Sequence, residues 1–159
     1  ASLTGQLVLS TLHTNDAAGA VTRLVDMDVE PFLVASSLIL VCAQRLCRKI
    51  CPHCKEPVDI PEEALRRFQG KVPPGTKLYA GRGCDRCRQT GYLGRFGVTE
   101  ILLLDDGIRE LLLEGRSADD IKEYAVKNQG MRTLWDDAID HLTEGLTTFE
   151  EVLRVAAED

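Results

Sequence analysis

The sequence predicts a mixed α/β protein with a small cysteine-rich insertion and a mainly α-helical C-terminal region. A β-branched apolar run near the start precedes segments of helical periodicity, which is typical of an α/β core. Two Cys-x-x-Cys pairs bracket a middle stretch rich in glycine and proline. Amphipathic segments separated by single glycines fill the rest. A length of 159 residues suffices for one compact domain, or for part of a domain with a small module attached.

Composition narrows the class of protein. The chain is 44% hydrophobic and 28% charged, which is typical of a folded soluble domain rather than of a disordered segment. Its longest mainly apolar run, residues 33–43, is shorter than the roughly 20 residues that cross a bilayer. The start shows no basic-then-apolar secretory signal. We therefore expect a reducing compartment, in which cysteines stay as thiols or bind metal.

Charge divides the chain into three parts. Residues 1–47 carry 2 basic and 4 acidic side chains, residues 48–98 carry 11 and 5, and residues 99–159 carry 6 and 16. The middle is therefore strongly basic and the end strongly acidic. We predict domain boundaries at these points, and a basic middle that meets acidic side chains or phosphate groups.

The first part is predicted to begin with a strand and a helix. Residues 6–12 (QLVLSTL) form a near-continuous apolar run, as in a buried strand of a parallel sheet. Thr14 or Asn15 can cap a helix that runs to about Met27.

A second helix is predicted from Phe32 to about Leu46. Pro31 suits its first turn, and its residues are apolar nearly all round, so we expect it to be deeply buried. Cys42 would then be a small core residue. Arg45 would end this helix, either as a charge that favours the helix dipole or as a contact to a neighbouring subunit. For Arg23, the default interpretation is a position on a solvent-exposed face.

The middle part resembles a small loop-rich module. Residues 51–54 form a tight turn, 61–68 a short helix, 72–75 a loop and 77–80 a short strand. Apolar residues are too few for an independent core, so a module of this size needs a staple.

The last part is predicted to be a strand followed by four helices. The strand covers residues 96–104, and the helices cover about 106–114, 118–128, 133–143 and 149–157. Ser117 and Thr148 open capping-box-like starts. Glycines mark the breaks at Gly115, Gly130 and Gly145.

Four cysteines carry the strongest chemical signal. They are Cys51, Cys54, Cys84 and Cys87. Two residues within each pair let both sulfurs reach one ion, and two such turns complete a tetrahedron of thiolates around Zn²⁺. With all positions filled by protein, the zinc would be structural. A redox dithiol at Cys51 and Cys54 would explain only one pair. His53 and Cys47 are less suitable substitute ligands.

His13 is a weaker candidate. It follows the predicted strand and precedes a predicted helix, at the strand end where ligands bind in open α/β sheets. The helix N-terminus just after it would favour an anion such as phosphate. By spacing alone, a structural histidine is the default interpretation.

Several segments together resemble a known family. They are residues 4–17 (TGQLVLSTLHTNDA), 44–46 (QRL), 51–54 (CPHC), 94–100 (GRFGVTE), 130–134 (GMRTL) and 145–155. In this order along the whole chain they are similar to the type II secretion and type IV pilus-assembly ATPases, and the first segment resembles their histidine box. Gln6 stands where that family often has His.

The resemblance implies an α/β remnant of a RecA-like P-loop ATPase core at residues 1–47. It also implies a tetracysteine zinc-binding subdomain at 48–98 and a C-terminal helical subdomain at 99–159. His13 would be the histidine-box residue near the terminal phosphate, for polar positioning or sensing. The tetracysteine module marks the assembly and secretion branch, because the retraction ATPases lack it.

For the whole protein, the resemblance implies a homo-hexamer in the cytoplasm, peripheral to the inner membrane. ATP with Mg²⁺ would power pseudopilus or pilus assembly, with inner-membrane platform proteins as partners and no nucleic acid. The chain contains no Gly-x-x-x-x-Gly-Lys-Ser/Thr sequence. It therefore lacks a P-loop lysine, and we expect no ATP hydrolysis by this chain alone.

Two other functions fit parts of the sequence. A zinc-ribbon nucleic-acid binder would use the basic middle and its aromatic residues, namely Arg82, Arg86, Arg88, Arg95, Tyr79, Tyr92 and Phe96. The acidic end and the lack of a fold-specific nucleic-acid motif speak against it. A pure protein-docking module would use zinc as a staple and its basic face to bind a membrane-platform protein.

Overall fold

The chain forms a mixed α/β structure of helices and two small sheets. A computed structural model describes residues 1–60, 66–68 and 70–156, with side chains to residue 155. The helices are α1 Ala17–Asp26, α2 Pro31–Ser37, α3 Asp106–Leu113, α4 Ala118–Tyr124, α5 Leu134–Thr143 and α6 Phe149–Ala156. The strands are β1 Leu40–Ile50, β2 Lys55–Val58, β3 Leu78–Gly81 and β4 Tyr92–Leu103. β1 pairs with β4, and β2 pairs with β3. No helix among the described residues is both long enough and apolar enough for a membrane span.

Packing divides the chain into two compact units, and each contains segments far apart in sequence. The first unit holds Ala1–Gln44 and Thr99–Thr133, and the second holds the described residues of Arg45–Val98 and 134–156. The three-part division predicted from charge stays a prediction, because it concerns functional parts rather than packing.

The first unit packs four helices against one another. α1 contacts α4, α2 contacts α3, and α3 contacts α4. Each helix buries one face, and Val21, Ile108 and Ile121 are fully buried. The backbone N–H of Leu104 donates to the carbonyl of Ile39 at 3.0 Å.

The second unit joins the helical pair α5–α6 to a hairpin of β2 and β3. Phe68 is fully buried, with its ring stacked on Trp135 at 5.1 Å and edge-on to Phe149 at 5.1 Å. The end of β1 is fixed by the loop between the helices. Ile50 N–H donates to the Leu146 carbonyl at 2.9 Å, and the Thr147 hydroxyl donates to the Arg48 carbonyl at 2.9 Å.

The strand predicted at residues 6–12 is not formed. This segment has no regular structure, and Leu7 and Leu9 are 80% and 87% exposed. A buried parallel strand needs a neighbour on its hydrogen-bonding edges, and no described residue supplies one here. An apolar pattern alone is therefore not enough to predict a strand here.

The second predicted helix is also wrong over most of its length. It ends at Ser37, and Leu40–Ile50 is a strand in which Ala43, Cys47 and Ile50 are buried and the even-numbered residues from 40 to 48 are exposed. A short apolar run fits a strand as well as a helix. Cys42 is therefore exposed rather than a core residue. Arg45 lies within a strand, so it is not a helix C-terminal charge.

The predictions for the remaining elements are largely confirmed. β3, β4 and helices α3 to α6 lie within a few residues of their predicted bounds, although Ala125–Gln129 continues α4 as a π-helix. Ser117 forms the predicted reciprocal capping box with Asp120. Of the predicted helix at 61–68, residues 61–65 lie outside the described part, and Arg66–Phe68 form a 3₁₀ turn.

Candidate metal centre

The β2–β3 hairpin brings the two cysteine pairs together. β2 begins directly after Cys54, and Lys55 pairs with Gly81 at the end of β3 in antiparallel register. The N–H of Arg82 donates to the Cys54 carbonyl at 3.1 Å, which extends this pairing toward the second cysteine turn. The pairing of β2 with β3 therefore brings the two cysteine pairs together, although 29 residues separate them in the sequence.

A close approach of two glycines holds the second turn against the hairpin. A Cβ on Gly91 would lie 2.3 Å from the carbonyl oxygen of Gly81, and a Cβ on Gly81 would lie 2.1 Å from that of Gly91. Neither position accepts a side chain without a backbone shift. The Gly91 carbonyl also accepts from the N–H of Cys51 at 2.9 Å, so it contacts the first turn as well.

The four sulfurs converge at the spacing that a metal requires. Their Sγ atoms all lie within 4.8 Å of one another, and three of the pairs are 3.7, 3.8 and 3.9 Å apart. Four sulfurs at about 2.3 Å from one ion lie about 3.8 Å apart on a tetrahedron. Three of the cysteines are buried, and Cys84 is partly exposed. This cluster could hold a metal ion.

Backbone donors prepare one sulfur as an anion. Burial alone would raise the pKa of the Cys87 thiol, but the N–H groups of Cys84 and Gly91 donate to its sulfur at 3.2 and 3.3 Å and lower that pKa to about 6. Burial dominates at Cys54 and raises its pKa to about 12. The arrangement favours thiolate at Cys87 first, and a bound cation would favour thiolates throughout.

Neighbouring candidates lie outside the cluster. His53 is exposed in the first turn, and the four ligand atoms that converge are all sulfurs. Cys47 is buried in β1, where burial and the Glu151 carboxylate raise its pKa to about 11. Its thiol therefore stays protonated and acts as a small apolar group.

His13 lies in the first unit, in the exposed segment that precedes α1. The helix N-terminus beyond it is capped by Asp16, rather than by Thr14 or Asn15, through the N–H of Gly19 at 2.8 Å. The first helical amide, that of Ala17, donates to the Glu100 carboxylate at 3.0 Å. Two carboxylates thus occupy the N-terminus that the sequence suggested for a phosphate.

Two buried carboxylates, those of Glu100 and Glu151, were not predicted from the sequence. Glu100 is fully buried, and it ends the GRFGVTE segment, which was the one available signal for its importance. Glu151 is fully buried and accepts from Arg48 and Arg154. Asp16 also pairs with Lys122 at 3.0 Å.

Comparison with known proteins identifies the family to which this chain is similar. The model of the type II/IV secretion system protein family matches residues 1–154. The type IV pilus assembly ATPase PilB of Thermus thermophilus is 49% identical over 156 residues, which cover 96% of this chain and 17% of that protein. The type II secretion system ATPase E of Vibrio cholerae is 46% identical over 158 residues, covering 99% of this chain and 31% of that protein.

A second pilus assembly ATPase, PilB of Myxococcus xanthus, is 46% identical over 164 residues and is covered to 28%. The chain thus spans less than a third of the length of these relatives, and the similarity extends over nearly all of its own length. With the family model matched from residue 1 to residue 154, the chain belongs to the type II/IV secretion system protein family.

Proposed function

We propose that this chain is part of a RecA-like P-loop ATPase that powers type II secretion or type IV pilus assembly. The observation that carries the proposal is identity of 46 to 49% to ATPases of both systems along nearly the whole chain. In this proposal residues 1–47 complete the nucleotide core, 48–98 are the zinc module and 99–159 the helical end. The whole protein would be a cytoplasmic hexamer, peripheral to the inner membrane.

The metal in this proposal is zinc, with a structural role. Four thiolates are the ligand set that structural zinc sites prefer, and four protein ligands leave no position for a catalytic water. Zinc would fix the two turns against the β2–β3 hairpin and so replace the apolar core that a module of this size lacks. The module as a whole would dock on inner-membrane platform proteins.

His13 is proposed to act at the nucleotide. Its ring is exposed in the first unit, so it remains available to a ligand held by other parts of a longer protein. The occupied N-terminus of α1 supports polar positioning or sensing by the side chain itself, rather than anion binding by the helix. ATP and Mg²⁺ would bind elsewhere, because the chain contains no P-loop sequence.

ATP turnover tests the proposal. We expect the 159-residue chain to release phosphate no faster than a matched blank, and the longer protein that contains it to hydrolyse ATP. In that longer protein, His13→Ala should lower kcat by about 10-fold or more and leave metal content unchanged. Turnover by the chain alone, or a longer protein that is inactive with metal bound, would contradict the proposal.

A further inference from the structure

Four exposed arginines surround the second cysteine turn, and we call them the arginine surface: Arg82, Arg86, Arg88 and Arg95. Three of them lie within one stretch of seven residues, 82–88, which contains the turn and has a fixed backbone. Gln89 N–H donates to the Cys84 carbonyl at 2.9 Å, and Arg88 N–H donates to the Asp85 carbonyl at 3.2 Å. These arginines therefore extend from a constrained backbone rather than from a mobile loop.

The guanidinium groups of the arginine surface form no ion pair with any residue that the structure describes. Other cations of the basic middle do have partners in the same unit. Arg48 pairs with Glu151 at 2.6 Å, Lys71 pairs with Asp136 at 2.5 Å, and Lys55 lies 4.2 Å from the centre of the Tyr79 ring. Arg66, Arg67 and Lys77 are likewise exposed and without an ion pair among the described residues, but only the second cysteine turn carries three such arginines within seven residues.

The aromatic rings near this surface are already engaged. Tyr92 lies under the Arg48 guanidinium at 4.0 Å, and its hydroxyl is 2.8 Å from that of Thr148. Phe96 packs edge-on against His141 at 4.7 Å. Binders of single-stranded nucleic acid need free aromatic faces on which bases stack. The occupied rings therefore disfavour nucleic acid as the ligand of this surface.

We propose that the arginine surface docks an acidic protein segment, rich in aspartate and glutamate, on a partner of the secretion or pilus machine. The inference rests on the proposed function only for the identity of the machine. Guanidinium groups bind carboxylates through two parallel hydrogen bonds, and a preformed turn loses little entropy when it binds. A bilayer is a poorer match, because Leu93 is the only large apolar side chain exposed between residues 82 and 95.

A binding measurement on the metal-loaded chain tests this. The probe is a fluorescent 12-residue peptide rich in Glu and Asp with interspersed Leu. Its binding is followed by fluorescence anisotropy at about 0.05 M and about 0.3 M salt. We expect saturable binding that weakens with salt. The triple variant Arg82→Gln/Arg86→Gln/Arg88→Gln should weaken it by about 10-fold or more.

A matched control removes the same charge elsewhere in the unit. The residues Arg66, Arg67 and Lys77 are also exposed, and their replacement by Gln should change affinity by less than about 2-fold. Metal content and circular dichroism report whether each variant folds. Should the triple variant of Arg82, Arg86 and Arg88 fail to fold, peptide-induced NMR shifts of the unaltered chain decide, with shifts at residues 82–89 expected.

The outcomes separate the partners. Single-stranded RNA and vesicles with about 30% anionic lipid serve as the other probes. Tighter binding of either, equal loss of binding in the control variant, or peptide shifts away from residues 82–89 would overturn the proposal. Loss of ATP turnover in the longer protein has no bearing on this binding, so failure of the proposed function remains distinguishable.

Discussion

At the scale of single residues, Glu151 connects strand β1 to helix α6. Its side chain is buried, and its carboxylate accepts from the Arg48 backbone at 2.8 Å, from the Arg48 guanidinium at 2.6 Å and from Arg154 at 3.0 Å. Burial opposes the charged form, but the two arginines outweigh it and lower the pKa of Glu151 to about 2. A buried carboxylate without these donors would be strongly unfavourable.

The stability of the second unit should therefore depend on pH through Glu151. The folded pKa of about 2 lies below the ordinary value of 4.5, so this contribution is fully present above pH 4.5 and is lost as pH falls toward 2. It amounts to on the order of 3 kcal/mol near neutral pH. We expect the difference in unfolding free energy between the native chain and Glu151→Gln, from urea titration, to shrink over that range.

The exposed neighbour Glu150 provides the control for this measurement. Glu150→Gln removes a carboxylate from the same helix without breaking an ion pair in the described structure, so stability should change little at any pH. If the difference between native chain and Glu151→Gln were the same at pH 6 and pH 3, the ion pairs would not be its source.

At the scale of elements, the approach of Gly91 to Gly81 positions the second cysteine turn. Gly81 ends β3 and Gly91 directly precedes β4, and their backbones are closer than any Cβ permits. Gly91 also has φ +76°, in the left-handed region that favours glycine. Gly94, three residues later, has φ +82° but open space around it. Comparing Gly91 with Gly94 therefore separates the cost of a left-handed φ from the cost of a steric clash at Cβ.

Gly91→Ala and Gly94→Ala should differ in their effect on the metal centre. Gly94→Ala carries only the cost of a left-handed alanine, about 1 to 2 kcal/mol, and should keep the metal. Gly91→Ala adds a clash with the Gly81 carbonyl and should displace Cys87. We expect its metal affinity, from competition with a chromophoric chelator, to fall by about 10-fold or more. Equal affinities would mean that the close approach is unimportant.

The same elements show what the sequence can and cannot specify. Helices α3 to α6 follow from amphipathic patterns with caps and glycine breaks, which are local signals. The predictions for residues 6–12 and 40–46 were wrong because an apolar run indicates burial without indicating which segment it packs against. Glu100 and Glu151 bind residues 83 and 103 positions away, and no local pattern encodes such contacts.

The cysteine cluster was predictable in its members, but the structure adds how they are held. Cysteine spacing alone identified all four sulfurs. Their convergence depends on the β2–β3 register and on the glycine contact, which spacing does not define. Sequence proximity also failed to show that the cysteine turns pack in one unit with α5 and α6, which begin more than 40 residues after Cys87.

At the scale of the molecule, this organisation couples the cysteine cluster to the C-terminal helices. Within the second unit, the end of β1 leads directly into Cys51, and the same strand end is bonded to Leu146 and Glu151. The ring of Tyr79 on β3 also lies against Gly145, where a Cβ would be 2.7 Å from it. Disorder at the cysteine turns should therefore spread to α5 and α6.

Removal of the metal tests this coupling, because the single tryptophan of the chain, Trp135, is in α5. We expect a strong chelator to expose Trp135, red-shift its emission and accelerate amide exchange in α5 and α6, while amides of α1 and α4 in the first unit stay protected. Re-addition of about one Zn²⁺ per chain should reverse the change. Complete metal loss with unchanged emission and exchange would show that the helices fold independently of the cysteine turns.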